Sequence, residues 1–357
     1  MNRLWKAAFA AGTLAFVSVD SLARDDLVVM RHAAQEFAAL PEGVRYPEGI
    51  TANPATGDVY AATFDFGPNA NKLMRFTHNG RLAAIRDFGG TPMLGLAFEA
   101  AHAKVWILNM GASKVQRIAA NFDATTPVED VASVPSIGAP ADRSVGNPDG
   151  SVDTIAFGSN GFPAPNAMVF DKAGNLYLSD SFQGAIFRIA NATSCTAPCA
   201  VTLVSHDPLL ATAGFPPFGA NGLALSADEA TLFVANTGDN RVLKLDLATK
   251  AVSVFTESVH GADGLVMDAE GRLWACANQG DQVVALDERG RVVAKLGDFL
   301  GVNRKGSPDG LLFPASPVIV DGWMYVTNLA LPLTGSAAEP ETEVTRWTIA
   351  RIKLPKR

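Results

Sequence analysis

The sequence is poor in the residues and motifs on which many enzymes depend. Its 357 residues include only three cysteines and five histidines. We find no Gly-rich phosphate loop, no serine nucleophile elbow and no Cys–His pair. The sequence therefore gives no support for a nucleotide-binding protein, a serine hydrolase or a thiol enzyme.

Two of the three cysteines lie close together, in the segment SCTAPC that contains Cys195 and Cys199. No second Cys or His pair stands at ligand spacing, so zinc binding by this pair is the weaker interpretation. We expect the pair to form a disulfide that closes a small loop, as it can in an oxidising compartment such as a periplasm.

Charge is also scarce, at 18% of residues, and its balance is negative, with a formal net charge of −7 and a pI near 5.3. The sequence contains no basic cluster, which argues against nucleic acid or anionic lipid as a partner. Hydrophobic residues make up 48% of the chain, enough for a large core and too many for a disordered protein. We predict a small-molecule ligand and no protein partner.

Long apolar runs are missing after the N-terminus. The chain begins with a basic segment, MNRLWK, followed by the apolar run AAFAAGTLAFVSV and the small-residue sequence SLA. This run is shorter than the roughly 20 residues of a membrane span, so a cleaved signal peptide is favoured over an uncleaved anchor. We predict a signal peptide over residues 1–23, a single domain over 24–357 with no membrane span, and a periplasmic or secreted location.

An internal repeat is the main positive feature. The segment GANGLALSADEATLFVANTGDN, residues 219–240, returns 42 residues later as GADGLVMDAEGRLWACANQGDQ, residues 261–282. Related units begin at PEGI, PMLGLAFE, PNAMVF and PASPVIV, and helical periodicity is essentially absent after the leader. Each unit contains short strand-like runs separated by Gly and Asx turns. Six such units predict an all-β fold, a six-bladed β-propeller with four-stranded blades.

The last unit offers only three strands, PVIVDG, WMYVTNLA and WTIARIKL. The segment DDLVVMRHAAQEF, residues 25–37, precedes the first unit and has no other assignment. We predict that this N-terminal segment supplies the outer strand of the last blade, which ties both ends of the ring and leaves no long exposed edge.

One repeat position falls just before the innermost strand of every unit, and six such residues should surround the central channel near one face. The equivalent residues are Glu48, Leu94, Asn166, Asn221, Asp263 and Ser316. Two carboxylates in a narrow channel raise one another's pKa unless a cation neutralises them. Glu48, Asn166, Asn221 and Asp263 would form an all-oxygen ligand set without His or Cys, and such a set favours Ca²⁺, followed by Mg²⁺ or Mn²⁺.

Turn formation is the alternative role for these polar residues, because Asx side chains commonly satisfy backbone N–H groups. A second series recurs where the second strand of each unit ends, and we assign it to hairpin turns. Its members are Asp65, Asn109, Asp180, Asn236, Asn278 and Asn328.

The motifs PEGI, PNAMVFDKAGNLYLSD, GANGLALSADEATLFVANT and GADGLVMDAEGRLWACA resemble the senescence-marker-protein/gluconolactonase/luciferin-regenerating-enzyme-like family of regucalcin-like propellers. This resemblance implies a six-bladed propeller with one divalent cation in its channel, zinc in some members, and lactone hydrolysis in many. It further implies that Glu48, Asn221 and Asp263 are metal ligands and that Asn166 contacts the metal or the substrate. It also implies that Asp263 is the catalytic base.

The predicted function is therefore metal-dependent hydrolysis of a cyclic ester, with Asp263 activating water on the cation. Two alternatives remain open. The same metal could serve a phosphotriesterase-like hydrolase, or the cation could be structural in a propeller that binds a ligand or protein without catalysis.

Three long connections, residues 134–165, 206–220 and 297–315, precede ring positions and should overhang the channel mouth. Their phenylalanines, Phe215 and Phe313 among them, favour an apolar or ring-shaped substrate. Packing of these loops onto the ring is the alternative role. The sequence assigns substrate binding to four residues: Asn166, Ser316, Phe162 and Phe218.

Overall fold

The computed structural model describes residues 34–68, 70–157 and 163–354. Six four-stranded antiparallel sheets account for most of this part of the chain. The innermost strand of each sheet contacts that of the next, and the sixth contacts the first, so the sheets close into a ring around a central channel. Each sheet is a blade, and the predicted all-β, six-bladed propeller is confirmed.

Strand β1 (Gln35–Ala39) precedes the first blade. Blade 1 consists of β2 (Pro47–Ala52), β3 (Val59–Thr63), β4 (Asn71–Phe76) and β5 (Leu82–Gly89). Blade 2 consists of β6 (Met93–Glu99), β7 (Lys104–Asn109), β8 (Lys114–Ala119) and β9 (Glu129–Ser133). An inserted hairpin follows, formed by β10 (Arg143–Gly146) and β11 (Val152–Ile155). Blade 3 consists of β12 (Pro165–Phe170), β13 (Leu176–Asp180), β14 (Ala185–Ile189) and β15 (Val201–His206).

The second half of the ring repeats this plan. Blade 4 consists of β16 (Ala220–Leu225), β17 (Thr231–Asn236), β18 (Arg241–Asp246) and β19 (Val252–Glu257). Blade 5 consists of β20 (Ala262–Met267), β21 (Leu273–Ala277), β22 (Gln282–Leu286) and β23 (Val292–Leu296). A second inserted hairpin is formed by β24 (Phe299–Val302) and β25 (Pro308–Gly310). Blade 6 contains β26 (Pro314–Val320), β27 (Trp323–Asn328) and β28 (Thr348–Lys353).

Blade 6 is completed from the other end of the chain. Strand β1 pairs antiparallel with β28, with Gln35 opposite Arg351, and the order of the sheet is β1-β28-β27-β26. The predicted closure by an N-terminal outer strand is therefore confirmed for the end of the 25–37 segment. Residues 25–33 of that segment, and the predicted signal peptide, lie outside the described residues.

The hydrophobic core lies between the blades. All residues of β3, β13 and β21 are buried, because neighbouring blades cover both faces of these second strands. Trp106 is fully buried in the cluster between blades 2 and 3, and Trp274 in the cluster between blades 5 and 6. Outer strands such as β5 are largely half-exposed. The first strands are thereby left to line the channel.

Helical structure in the described segments is limited to single 3-10 turns. These turns are Met110–Ala112, Asn278–Gly280 and Pro340–Glu343. Within residues 34–354, none of the described helices has the length and apolar character needed to cross a bilayer. The connection between β14 and β15 contains the disulfide Cys195–Cys199, as the spacing of the two cysteines predicts.

Candidate metal centre

A β-bulge at the start of the innermost strand places one side chain of each blade at the channel. The pairing of β2 with β3 shifts between Pro47 and Ile50, and the equivalent shift occurs in all six blades. Glu48 is the second residue of its strand and lies inside this shift, as do Asn221 and Asp263 in blades 4 and 5. Bulges of this kind redirect a side chain out of the regular strand alternation.

Glycines directly after these residues allow neighbouring blades to approach closely. A Cβ atom on Gly49 would lie 1.9 Å from the carbonyl oxygen of Leu94, and one on Gly222 would lie 2.2 Å from that of Asp263. Only glycine fits at such a distance, because any side chain would overlap the backbone of the next blade. The ring of channel-facing residues is therefore narrow.

The sixth ring position is occupied by Ala315, and the prediction of Ser316 at this position was wrong. The bulge in blade 6 lies between Pro314 and Pro317, so Ala315 is the residue that corresponds to Glu48. A Cβ on Gly264 would meet the carbonyl oxygen of Ala315 at 2.7 Å, the same relationship that links Gly222 to Asp263. Ser316 is half-buried and borders a second cavity further along the channel, beside Gly222 and Gly264.

The structure brings the other four polar candidates together. Glu48, Asn166, Asn221 and Asp263 line one cavity at the channel mouth, with a volume of about 380 Å³ including its opening. All four are at most 5% exposed. Side chains from blades 1, 3, 4 and 5 thus meet at one place, as the repeat predicts.

The two carboxyl groups of this cavity are strongly perturbed. Burial raises the pKa of Glu48 well above its ordinary value, and the negative charge of Asp263 raises it further. Burial also raises the pKa of Asp263, to about 7, although the hydrogen bond from Asn278 and the nearby amide of Asn221 partly offset this effect. Both groups are costly to ionise at this position without a compensating positive charge.

Three of the four polar ring residues, those of blades 3, 4 and 5, are each held by a side chain that lies one residue past the end of the second strand. Nδ2 of Asn166 donates to Oγ of Ser181 at 2.9 Å, and Nδ2 of Asn221 donates to Oγ1 of Thr237 at 2.9 Å. In blade 5 the direction reverses, and Nδ2 of Asn278 donates to Oδ2 of Asp263 at 3.0 Å. These contacts leave the carboxamide oxygens of Asn166 and Asn221 available as ligands.

Asn278 is the functional residue that our sequence reasoning missed. The assignment to hairpin turns is correct for Asn109, which accepts from the backbone N–H of Ala112, and for Asp180, which accepts from that of Gln183. Asn278 instead lines the cavity. The ungapped repeat hid this difference, because the strand pairing of blade 5 is shifted by one residue: Met267 pairs with Leu273, whereas Leu225 of blade 4 pairs with Leu232.

Three buried oxygens of the cavity have no hydrogen-bond partner among the described residues. They are Oε2 of Glu48, Oδ1 of Asp263 and Oδ1 of Asn278. Buried acceptors are normally satisfied, and carboxylate and carboxamide oxygens are the ligands that hard divalent cations prefer. No group of three or more His, Cys, Asp or Glu side chains within the described residues could hold an ion by itself. The donor set that fits a cation is therefore mixed, with two acids and several amides.

Apolar side chains form the rest of the cavity wall. Phe218 lines it, as predicted for the second long connection, and so does Phe313 from the third. Phe215 does not line it and is 58% exposed. Phe162 lies outside the described residues.

A fourth connection, residues 329–347 between β27 and β28, also reaches the mouth and supplies Leu331 and Leu333. The sequence signal for it is the run NLALPL after a strand, followed by a break much longer than a hairpin turn.

Comparison with known proteins supports the family resemblance. Residues 165–297 match the family model of the SMP-30/Gluconolactonase/LRE-like region. The lactonase drp35 of Staphylococcus saprophyticus is 30% identical over 156 residues, a match that covers 41% of this chain and 41% of that protein. The match thus spans less than half the length of this curated relative. The resemblance inferred from the repeats is confirmed over the matched region.

Solved structures share the whole fold at low sequence identity. A calcium-binding protein, regucalcin, from Agrobacterium tumefaciens strain C58 superposes with a TM-score of 0.58 at 17% identity, over 90% of this chain and 97% of that chain. A putative gluconolactonase superposes with a TM-score of 0.55 at 18% identity, over 94% and 99% of the two chains. At these identities the comparison establishes the propeller architecture.

Proposed function

We propose that this protein is a divalent-metal-dependent hydrolase of cyclic esters, a lactonase. The observation that carries the proposal is the pair of buried carboxyl groups, Glu48 and Asp263, which face one cavity and each keep one oxygen without a hydrogen-bond partner. The match to lactonase drp35 and to the gluconolactonase-like region gives the reaction class. An all-oxygen ligand set favours Ca²⁺ over Mg²⁺, Mn²⁺ or Zn²⁺.

Glu48, Asn221 and Asp263 would hold the ion, and Asn166 would contact the ion or the substrate. A divalent cation in this position supplies Lewis acidity toward an ester carbonyl. The protein's own contribution is a rigid, buried set of oxygens on strand bulges, which fixes the position of every ligand. Burial of these side chains, which are at most 5% exposed, strengthens each electrostatic interaction among them.

Asp263 has the environment of a general base. Asn278 holds its Oδ2, so Oδ1 is the oxygen left to accept a proton from the attacking water. A carboxylate within hydrogen-bond reach of the attacking water can act as a general base. The water oxygen bonds to the acyl carbon, the ring C–O bond breaks, and the proton passes to the leaving alkoxide, which gives a hydroxy acid.

A hydrolysis screen tests this proposal. The purified protein is loaded with Ca²⁺ and assayed on aldonolactones, alkyl and aromatic lactones, and phosphotriesters, with and without a chelator. We expect chelator-sensitive lactone hydrolysis. The Asp263→Ala variant should lose at least about a hundredfold in rate, while Asp153→Ala, at an exposed position of β11, should keep it.

Other outcomes of the screen assign other functions. Turnover of phosphotriesters alone would assign a phosphotriesterase-like hydrolase to the same cavity. A stoichiometric cation with no turnover would assign a binding propeller in which the ion is structural. Full lactone hydrolysis by metal-loaded Asp263→Ala would remove Asp263 from the mechanism.

Export to a periplasm or to the exterior is part of the same proposal. It rests on the basic and apolar character of residues 1–23, which lie outside the described residues. The disulfide Cys195–Cys199 is consistent with an oxidising compartment. Mass spectrometry of the mature protein tests it, because cleavage after Ala23 would leave 334 of the 357 residues.

A further inference from the structure

The cavity has a polar half and an apolar half, and the division follows the order of the blades. Blades 3, 4 and 5 supply the polar half, with Asn166, Asn221 and Asp263 each held by a polar side chain. Blades 6, 1 and 2 have apolar residues at the positions that correspond to those supporting side chains. These are Leu329, Phe64 and Met110, one residue past the ends of β27, β3 and β7. Glu48 is the single charged group on the apolar side.

The apolar half extends outward from the channel. Leu329, Leu331 and Leu333 alternate along the chain after β27, and all three line the cavity. The backbone bends between the first two leucines, where Ala330 has a left-handed conformation with φ 41°, so the three side chains reach the cavity from a folded connection. Leu329 is 4% exposed, whereas Leu331 and Leu333 are only partly buried, so the leucines form a strip from the buried end of the cavity to its mouth.

Aromatic side chains continue this strip to the protein surface. The ring of Phe64 packs against Phe218 with centroids 6.2 Å apart and against Phe66 with centroids 4.9 Å apart. Phe64 is 5% exposed and Phe66 is 72% exposed. A hydrocarbon group that leaves the cavity on this side would therefore remain in contact with apolar surface.

The apolar half of the cavity discriminates between two kinds of lactone. A polyhydroxylated ring would press hydroxyl groups against leucine and phenylalanine, where they lose water and gain no hydrogen-bond partner. An alkyl or aryl substituent would bury apolar area in the same place and gain free energy from it.

We propose that the substrate is a lactone that carries an alkyl or aryl substituent on its ring. Its ester faces Asn221 and Asp263, and its hydrocarbon substituent lies against Phe64, Leu329 and Leu331. This inference rests on the proposed lactonase function and adds the substrate class to it. Leu331 is the specificity-determining residue that is easiest to change, since it is partly exposed and belongs to a connection rather than a blade.

A substituent series tests the inference. We expect kcat/KM for lactones of one ring size to rise about fourfold with each methylene added to the substituent, the factor that burial of a CH₂ group implies. The aldonolactone of the same ring size should be at least about a hundredfold poorer. Leu331→Asn should flatten the series and Leu331→Met should preserve it. Leu203→Asn is the matched control, because Leu203 is 51% exposed on outer strand β15.

Two results separate failure of the inference from failure of the proposed function. If the aldonolactone is hydrolysed as well as the alkyl lactones, the protein is a lactonase and the inference is wrong. If no lactone is hydrolysed, the proposed function fails. The preference of the apolar half for a hydrocarbon substituent is then tested by binding of the corresponding lactams, which resist hydrolysis. An alkyl lactam that raises the melting temperature where a polyhydroxylated lactam does not would still support an apolar ligand. Equal effects of the two lactams would overturn it.

Discussion

Asn278 donates a hydrogen bond from Nδ2 to Oδ2 of Asp263 at 3.0 Å, and this bond reverses the arrangement of the neighbouring blade. In blade 4 the ring residue is the donor, and Asn221 donates to the hydroxyl of Thr237. The supporting residue therefore changes together with the ring residue: a carboxylate is matched by an amide donor, and a carboxamide by a hydroxyl acceptor. Blades 3, 4 and 5 therefore each contribute a pair of side chains rather than a single one.

Replacement of Asn278 by alanine should weaken cation binding. Supporting residues orient a metal ligand, and their loss typically costs 10-fold to 100-fold in affinity. We expect an increase of about that size in the Kd for Ca²⁺, measured by isothermal titration calorimetry. Gln279→Ala is the control, because Gln279 is the adjacent residue and is exposed. Equal affinities of the two variants would show that Asn278 does not position Asp263.

The Asp263→Asn variant should be more stable than the wild type when both lack metal at pH 8. Burial raises the pKa of Asp263 to about 7, so the folded protein holds a proton that the unfolded chain, with a pKa near 4, releases. The stability linked to this proton is complete below about pH 4 and is lost as pH rises through about 7. The free energy of unfolding of Asp263→Asn should therefore exceed that of the wild type by almost nothing at pH 4 and by about 4 kcal/mol above pH 7.

Urea unfolding in the presence of a chelator, repeated across this pH range, measures the difference. With saturating cation the order should reverse, because only the wild type keeps the full ligand set and ligand binding stabilises the folded state. A difference that does not change between pH 4 and pH 8 would mean that Asp263 ionises normally in the folded protein.

Gly222→Ala should destabilise the ring at its narrowest part. The added Cβ would lie 2.2 Å from the carbonyl oxygen of Asp263 in the next blade, and the atoms that it would meet belong to the backbone, which has little freedom to move. Overpacking of this kind costs about 1–3 kcal/mol. Gly146→Ala, where no atom lies within 4 Å of the added Cβ, should change the free energy of unfolding by less than about 0.5 kcal/mol. Thermal unfolding of the two variants gives the comparison.

Asp239 should hold two of the mouth connections in place. Its carboxylate accepts from Arg143 of the first inserted hairpin at 3.3 Å and from Oγ1 of Thr212 in the second connection at 2.6 Å, and it also pairs with Arg241. We expect Asp239→Ala to increase protease cleavage and amide hydrogen exchange in residues 134–157 and 206–219.

Asp87→Ala is the control for this experiment, because Asp87 pairs with Lys72 on an outer strand, at an exposed position. Unchanged exchange in both connections of Asp239→Ala would show that they are held by their apolar contacts instead.

The fold and the ring were predictable because both depend on features that the sequence repeats. Glu48, Asn221 and Asp263 occupy the same position in units that share strand lengths and a following glycine. Ser316 was misplaced because blade 6 lacks this glycine, so the alignment of its unit could slip by one residue. A shift of one residue scarcely changes a sequence alignment, but it moves a strand side chain to a different face. Leu331 and Leu333 lie in a connection that repeats nothing, so only the folded chain shows that they reach the cavity.

The bond from Thr327 to the carbonyl oxygen of Glu48 joins residues 279 positions apart in the chain. Together with the pairing of β1 and β28, it means that blade 1 acquires its last neighbour only after nearly the whole polypeptide has been synthesised. Until then Glu48 and Asp263 have no common cavity. Assembly of the proposed cation site is therefore expected late in the folding of each molecule, and a chain that stops before β28 should lack the proposed activity even though every proposed ligand is already present.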